Sequence, residues 1–371
     1  MKKKQEPIRI LQVVPVMQAA GIENFIMNVY RSIDRNKVQF DFLVHSKKKY
    51  IYDDEIEALG GKIYRFTYKD DKNFIKYVKD LDAFFKQHPE YKVVHGNMQS
   101  MMPVYLKIAK KNGVKTRIAH SHNSSYEKSL KGFILHMLSR FAKRYSNINF
   151  ACSKEAAEYL FQKEDYVFIP NAIDITKYKF DVRVRNELRK KLNISNDTLV
   201  LGNVARFEQQ KNHKKLIEVF EKVHQHRPNS ILLLFGTGSL ENSIKNMVLN
   251  KKLQKNVLFM GVCKEVYQYY NVMDVFILTS FYEGLPVTGI EAQTNVLPCV
   301  FSDAISRDTD ILNSIKYIPL SSSADTWAKS ILEIHYDTKE RKIAYETVKK
   351  TKFNVQENVK FLEKLYCEYN K

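Results

Sequence analysis

Cysteine is scarce in this sequence: 371 residues hold four, Cys152, Cys263, Cys299 and Cys367. They stand singly, without Cys-x-x-Cys spacing, which argues against a disulfide framework or a structural zinc site and makes a reducing cytosol the simplest home. Long apolar runs are missing too. Stretches such as Ile231–Phe235 and Val275–Leu278 fall far short of the roughly 18 residues that a membrane-spanning helix needs. Met1–Lys4 leads straight into a strand-length apolar run, so no secretion signal is expected. With 12 Gly, 9 Pro and 44% hydrophobic residues, collagen-like, low-complexity and wholly disordered readings fall away. Acidic residues are outnumbered, 41 Asp+Glu against 60 Lys+Arg, for a net charge of +19. Such a field attracts anions: nucleic acid, nucleotide ligands or an acidic membrane face. Neither a Gly-x4-Gly-Lys-Ser/Thr phosphate loop nor a Gly-x-Ser-x-Gly nucleophile elbow occurs, which removes two common catalytic classes.

What is present is a rhythm. Short runs rich in Val, Ile and Phe alternate with amphipathic stretches of helical length: Ile8–Val14, Val38–Val44, Lys62–Phe66, Lys92–His95, Thr116–His120 and Asn147–Ala151. This alternation predicts βα units and a parallel sheet covered by helices. It restarts with Thr198–Val204, Ser230–Phe235, Asn256–Met260, Asp274–Leu278 and Pro298–Phe301. Two doubly wound α/β domains are expected, of residues 1–172 and 173–352, with the boundary in the turn-rich Ile169-Pro170-Asn171-Ala172-Ile173-Asp174. A terminal helix over 353–371 follows, with helical apolar spacing at Val355, Val359, Leu362 and Tyr366.

In open parallel sheets, ligands gather at the carboxyl ends of the strands, where helix N-termini offer unpaired N–H groups. Arg206 and Lys211 lie on such a strand-to-helix loop and suit a diphosphate; a solvated basic loop is the plainer reading of the same spacing. After Asp274–Leu278 comes Glu283-Gly284-Leu285-Pro286, with Glu291 about two turns into the expected helix. Gly284 permits close backbone approach, and two acceptor-only carboxylates suit paired sugar or ribose hydroxyls. A capping Glu283 and an exposed Glu291 would be the structural alternative. In the first domain, His120 and His122 end a strand; a metal site with His95 is conceivable, but no carboxylate or cysteine completes a set and no metal is expected. Asp80/Asp82 and Asp308/Asp310 read as helical or capping carboxylates. Between Met101 and Phe150 ten Lys+Arg face Glu127 alone, and Lys128–Arg144 mixes basic and bulky apolar residues at helical spacing. That segment fits either a membrane interface or an ordinary helix with its apolar side on the sheet.

Taken in order, Ala20-Gly21-Ile22-Glu23, His120-Ser121-His122, Ile169–Asp174, Ala205-Arg206-Phe207 with Lys211-Asn212, and Glu283-Gly284-Leu285-Pro286 with Glu291 resemble family 4 of the retaining glycosyltransferases. The resemblance covers nearly the whole chain. It implies the GT-B fold, two facing Rossmann-like domains with a nucleotide-sugar in the cleft and the terminal helix returning to the first. It makes Arg206 and Lys211 the diphosphate ligands, Glu291 the ribose ligand, and Glu283 with the Gly284 and Leu285 backbone the sugar and phosphate contacts. His122, with His120 as second choice, matches the histidine beside the transferring sugar, and Gly21 the turn approaching the phosphates. Departures are Ala20, Ala172 and Asn295-Val296, where the family often has glycine.

The resemblance further implies a metal- and cofactor-free transfer from a nucleoside-diphosphate sugar, a UDP-sugar by expectation. The expected acceptor is a polyprenyl-diphosphate-linked glycan in capsule or exopolysaccharide assembly, at the anionic inner face of the membrane. A nucleotide-sugar epimerase of the same architecture is the alternative; a nucleic-acid binder would explain the charge but not the paired glutamates, and no nucleic acid is expected.

Overall fold

Strands buried on both faces form the middle of each sheet, which is why they read as unbroken apolar runs rather than alternating ones. In a computed structural model, which describes residues 6–18, 21–67, 73–123, 129–162, 165–334 and 341–369, the chain divides into two compact units. Met1–Ile173 and Lys352–Lys371 make the first, Asp174–Thr351 the second.

The first unit contains β1 (Ile8–Val14), β2 (Val38–Val44), β3 (Ile63–Arg65), β4 (Val93–Gly96), β5 (Thr116–Ser121), β6 (Ile148–Ala151) and β7 (Val167–Phe168). They pair in the order β3-β2-β1-β4-β5-β6-β7, every pair parallel. All seven residues of β2 are buried. The order reverses between β1 and β4, so the chain leaves these neighbours for opposite faces and a crevice opens at their carboxyl ends. The terminal helix Val355–Tyr369 completes this unit. It buries Val355, Val359, Leu362 and Tyr366 in one core with Phe25, Val29 and Phe40. Main-chain bonds between Ile173 and both Phe353 and Val355, each 2.9 Å, fix its entry.

The second unit repeats the plan with β8 (Leu199–Val204), β9 (Ser230–Phe235), β10 (Val257–Gly261), β11 (Val275–Leu278), β12 (Cys299–Ser302) and β13 (Lys316–Ile318). The order is β10-β9-β8-β11-β12-β13, again all parallel, with the reversal between β8 and β11.

The segment from 128 to 144 departs from an ordinary surface helix. Lys128 lies outside the described residues. The helix Leu130–Ser139 leaves Leu130 77%, Ile134 48% and Leu138 50% exposed, so its apolar side chains are not absorbed by the sheet. Leu135 and Leu138 line one wall of a groove of about 800 Å³, whose other lining includes Phe74, Val78, Met101 and Val104.

Candidate active site

The two loops that carry most of the expected charge meet in the second unit. Since β8 and β11 are neighbours, the segments leaving their carboxyl ends run side by side. From β8 the chain passes Arg206, which is exposed, to Phe207, which is 1% exposed. Phe207 anchors the loop by stacking on His213 at 4.2 Å and by main-chain bonds to Thr237 and Leu240. Glycine is required here at both 236 and 238, because a Cβ on either would collide with the main chain of Ala205 or Phe207, and Gly236 has φ +126°. A single turn, Gln209–Lys211, then ends in left-handed Asn212, which caps the helix His213–His226.

Lys211 Nζ lies 2.7 Å from Glu283 Oε2, with side chains 18% and 8% exposed. The other oxygen, Oε1, accepts from Ser280 Oγ at 2.5 Å. Gln210 ties the loops further, donating to the Tyr282 carbonyl and accepting from Phe281 N. Glu283 is therefore held by side chains and is not a helix cap. Its own N–H and C=O bond to Ala304 and Ser306, and Gly284 and Leu285 follow, half-buried.

Pro286 is extended, and the helix runs from Val287 to Thr294, so Glu291 sits about one turn in rather than the two expected. Nor is Glu291 an exposed helical charge. Its Oε1 accepts from Tyr178 at 2.8 Å and its Oε2 from Tyr270 at 2.6 Å. Burial raises the pKa of Glu291, and the two hydroxyls oppose the rise. Each oxygen retains a further lone pair for an incoming hydroxyl.

In the first unit, Gly21 begins the helix Gly21–Ser32 after β1, with open space where a Cβ would stand. Ala20 lies outside the described residues. His120 is wholly buried, whereas His122, just past β5, is half-buried. Their rings are 3.9 Å apart. His95 joins them, but not as a metal-ligand set: its Nε2 faces His120 Nδ1 at 3.0 Å and its Nδ1 faces Tyr366 at 2.8 Å, so these nitrogens bond within the protein. Among the described residues no group of three or more His, Cys, Asp or Glu converges as a metal site. Burial lowers the pKa of His95 and His122 to about 3, and that of His120 well below its ordinary value.

The remaining carboxylate pairs are structural. Asp80 bonds Lys76, and Asp82 bonds Lys86, Lys111 and Asn112. Asp308 lies in the short helical turn Arg307–Thr309, and Asp310, just past its end, accepts from the N–H groups of Ser314 and Ile315. Tyr178 and Tyr270 are invisible to motif reading, because a lone hydroxyl among 22 Tyr carries no spacing signal.

Two doubly wound parallel sheets, the second bearing basic and acidic loops paired at its strand-order reversal, are the architecture of the GT-B class. The chain belongs to glycosyltransferase family 4, and is an enzyme of that kind. Residues 19–177 match the profile of Glycosyltransferase Family 4 and residues 184–351 that of Glycosyl transferases group 1. It is 30% identical to the putative glycosyltransferase EpsF of Bacillus subtilis, over 96% of each chain. It is 24% identical to the UDP-Gal:alpha-D-GlcNAc-diphosphoundecaprenol alpha-1,3-galactosyltransferase of Escherichia coli, over 82% of this chain and 81% of the other. Among solved structures, Anabaena HepE in complex with UDP and glucose superposes with a TM-score of 0.78 at 17% identity, covering 96% of this chain and 99% of that one.

Proposed function

We propose that this enzyme moves a hexose or N-acetylhexosamine, with retention, from a UDP-sugar to a polyprenyl-diphosphate-linked glycan during capsule or exopolysaccharide assembly. The observation that carries the reading is the Lys211–Glu283 pair, 2.7 Å apart at the carboxyl edge of the second sheet, with exposed Arg206 on the same loop as Lys211. Departure of a nucleoside diphosphate builds negative charge, and preorganised cations offset it best where water is excluded. Arg206 offers a planar fork and Lys211 a compact ammonium whose three hydrogens can serve Glu283 and a phosphate together. Glu283, with the Gly284 and Leu285 backbone, faces sugar and phosphate, and Glu291 accepts from the ribose hydroxyls. Gly21 approaches the phosphates and His122 orients the sugar. In the front-face course that the family resemblance implies, the departing phosphate takes the acceptor's proton, so no side chain is assigned as covalent nucleophile.

The name of the diphosphoundecaprenol-dependent relative supports the acceptor class. The exposed apolar side chains of the helix Leu130–Ser139, followed by Arg140, Lys143 and Arg144, suit peripheral contact with an anionic inner membrane face. A thermal-shift panel of nucleoside diphosphates and their sugars tests the donor: UDP and one UDP-sugar should raise Tm selectively. A chain stabilised by no nucleotide would overturn the proposal.

A further inference from the structure

The hydrogen bonds around His122 decide which of its nitrogens carries the hydrogen. Its Nε2 lies 2.9 Å from Asn97 Oδ1. Asn97 has its other end committed: Nδ2 donates to Gln12 Oε1 at 2.9 Å and to the His95 main-chain carbonyl at 3.2 Å. A main-chain carbonyl only accepts, so the amide nitrogen must lie on that side and Oδ1 must face the histidine. Since Oδ1 also only accepts, Nε2 of His122 must be the donor. Burial keeps the ring neutral, with a pKa near 3, and a neutral imidazole with hydrogen on Nε2 has a bare lone pair on Nδ1. That Nδ1 is buried and has no hydrogen-bond partner among the described residues.

The same logic continues behind Asn97. Gln12 Oε1 is engaged, which turns Gln12 Nε2 to the Tyr366 hydroxyl at 3.5 Å. Tyr366 then directs its hydrogen to His95 Nδ1, and His95 Nε2 donates to His120 Nδ1. Gln12, His95, Asn97, His120 and Tyr366 are all at most 2% exposed, so water cannot substitute for a missing partner. The titratable groups facing His122 are His120 and, beyond it, His95; the Asn171 carboxamide faces it as well and favours its charged form, less strongly than burial opposes it.

We propose that Asn97 is the positioning residue that holds His122 in its Nε2–H tautomer, so that Nδ1 accepts a hydrogen bond from a hydroxyl of the transferring sugar. Gln12 and Tyr366 keep Asn97 in that orientation. The proposal rests on the sugar-orienting role given to His122 above. A lone pair at this point discriminates: a hydroxyl can donate to it, whereas an acceptor-only carboxylate is repelled.

The test is two-bond ¹⁵N–¹H imidazole spectroscopy on the full uniformly labelled chain at pH 7, with His122→Gln assigning the signal. Nε2 protonated and Nδ1 bare is the expected pattern. An Nδ1–H tautomer in the unsubstituted chain overturns the proposal without any variant having to fold. Asn97→Ala should give a mixture of tautomers and lower kcat about tenfold, the scale of one lost hydrogen bond to the reacting sugar, while KM for the nucleotide sugar holds. Asn97→Asp places a carboxylate beside Nε2 and favours the charged ring. Its kcat should therefore fall as pH is lowered, where Nδ1 gains a hydrogen, and recover as pH is raised. Loss of activity at every pH, or a tautomer unchanged in Asn97→Ala, also overturns it. The expected tautomer in a chain that transfers sugar from no nucleotide donor would instead overturn the glycosyl-transfer reading and leave the role of Asn97 in setting the tautomer standing.

Discussion

Lys211 and Glu283 stand 72 positions apart in the chain, yet their side chains meet at 2.7 Å. The contact exists because β8 and β11 are adjacent and the loops leaving them are laced together by the bonds of Gln210 to Phe281 and Tyr282. It keeps the ammonium in place and leaves two of its hydrogens for another anion.

Arg206, being exposed, contributes little to folding, and its replacement should alter stability by no more than about 0.5 kcal/mol. Turnover is another matter. Arg206→Ala should lower kcat by about 10²–10³, as removal of one preorganised charge-stabilising donor does. Steady-state transfer kinetics with thermal melting as the control measure both; unchanged kcat would remove Arg206 from the mechanism.

Tyr270 and Tyr178 pull the pKa of Glu291 down against burial, which raises it. In Tyr270→Phe burial is less opposed, so the pKa should climb further. Only the ionised carboxylate accepts from both ribose hydroxyls, so UDP affinity should fail on acidification at a higher pH than in the unsubstituted enzyme, while at high pH the two converge. Calorimetric titration across pH reads this. A deficit equal at every pH would make Tyr270 a packing residue only.

His95 and His122 resist protonation in the fold. Unfolded, each takes a proton near its ordinary value of 6.5; folded, only near 3. Across that window the unfolded chain binds more protons, so stability is complete above about pH 6.5 and declines toward pH 3. Each such group should contribute a slope of about 1.4 kcal/mol per pH unit within the window. Chemical denaturation between pH 7.5 and 4.5 measures it, and His122→Gln should flatten the slope by about one proton.

The helix Leu130–Ser139 should bind vesicles that contain anionic lipid more tightly than neutral ones, and less tightly at high salt. Replacing Ile134 and Leu138, 48% and 50% exposed, by Ser should weaken sedimentation with vesicles on the order of tenfold or more through lost apolar burial. Binding indifferent to both lipid charge and these substitutions would place the membrane contact elsewhere.

Much of the architecture was legible because doubly buried strands such as β2 leave continuous apolar runs. Edges blurred: Lys62–Phe66 narrows to Ile63–Arg65, an outer strand paired on one side only. Glu291 lies four residues past Val287, little more than one turn into its helix, and the extended Pro286 accounts for only one residue of the difference from the two turns expected. Gly236 and Gly238 mark where two loops touch, a contact that no local spacing announces.

By itself the chain's order of residues determined the βα alternation, the restart of that pattern and the positions of Arg206, Lys211, Glu283 and Glu291, because periodicity and strand-end chemistry are local properties. Only the folded molecule decided who touches whom. The hydroxyls of Tyr178 and Tyr270 on Glu291, and Tyr366 of the terminal helix against His95, 271 positions away, arise from packing. A buried polar group must find a partner wherever the fold places one, and no spacing along the chain encodes that partner's address.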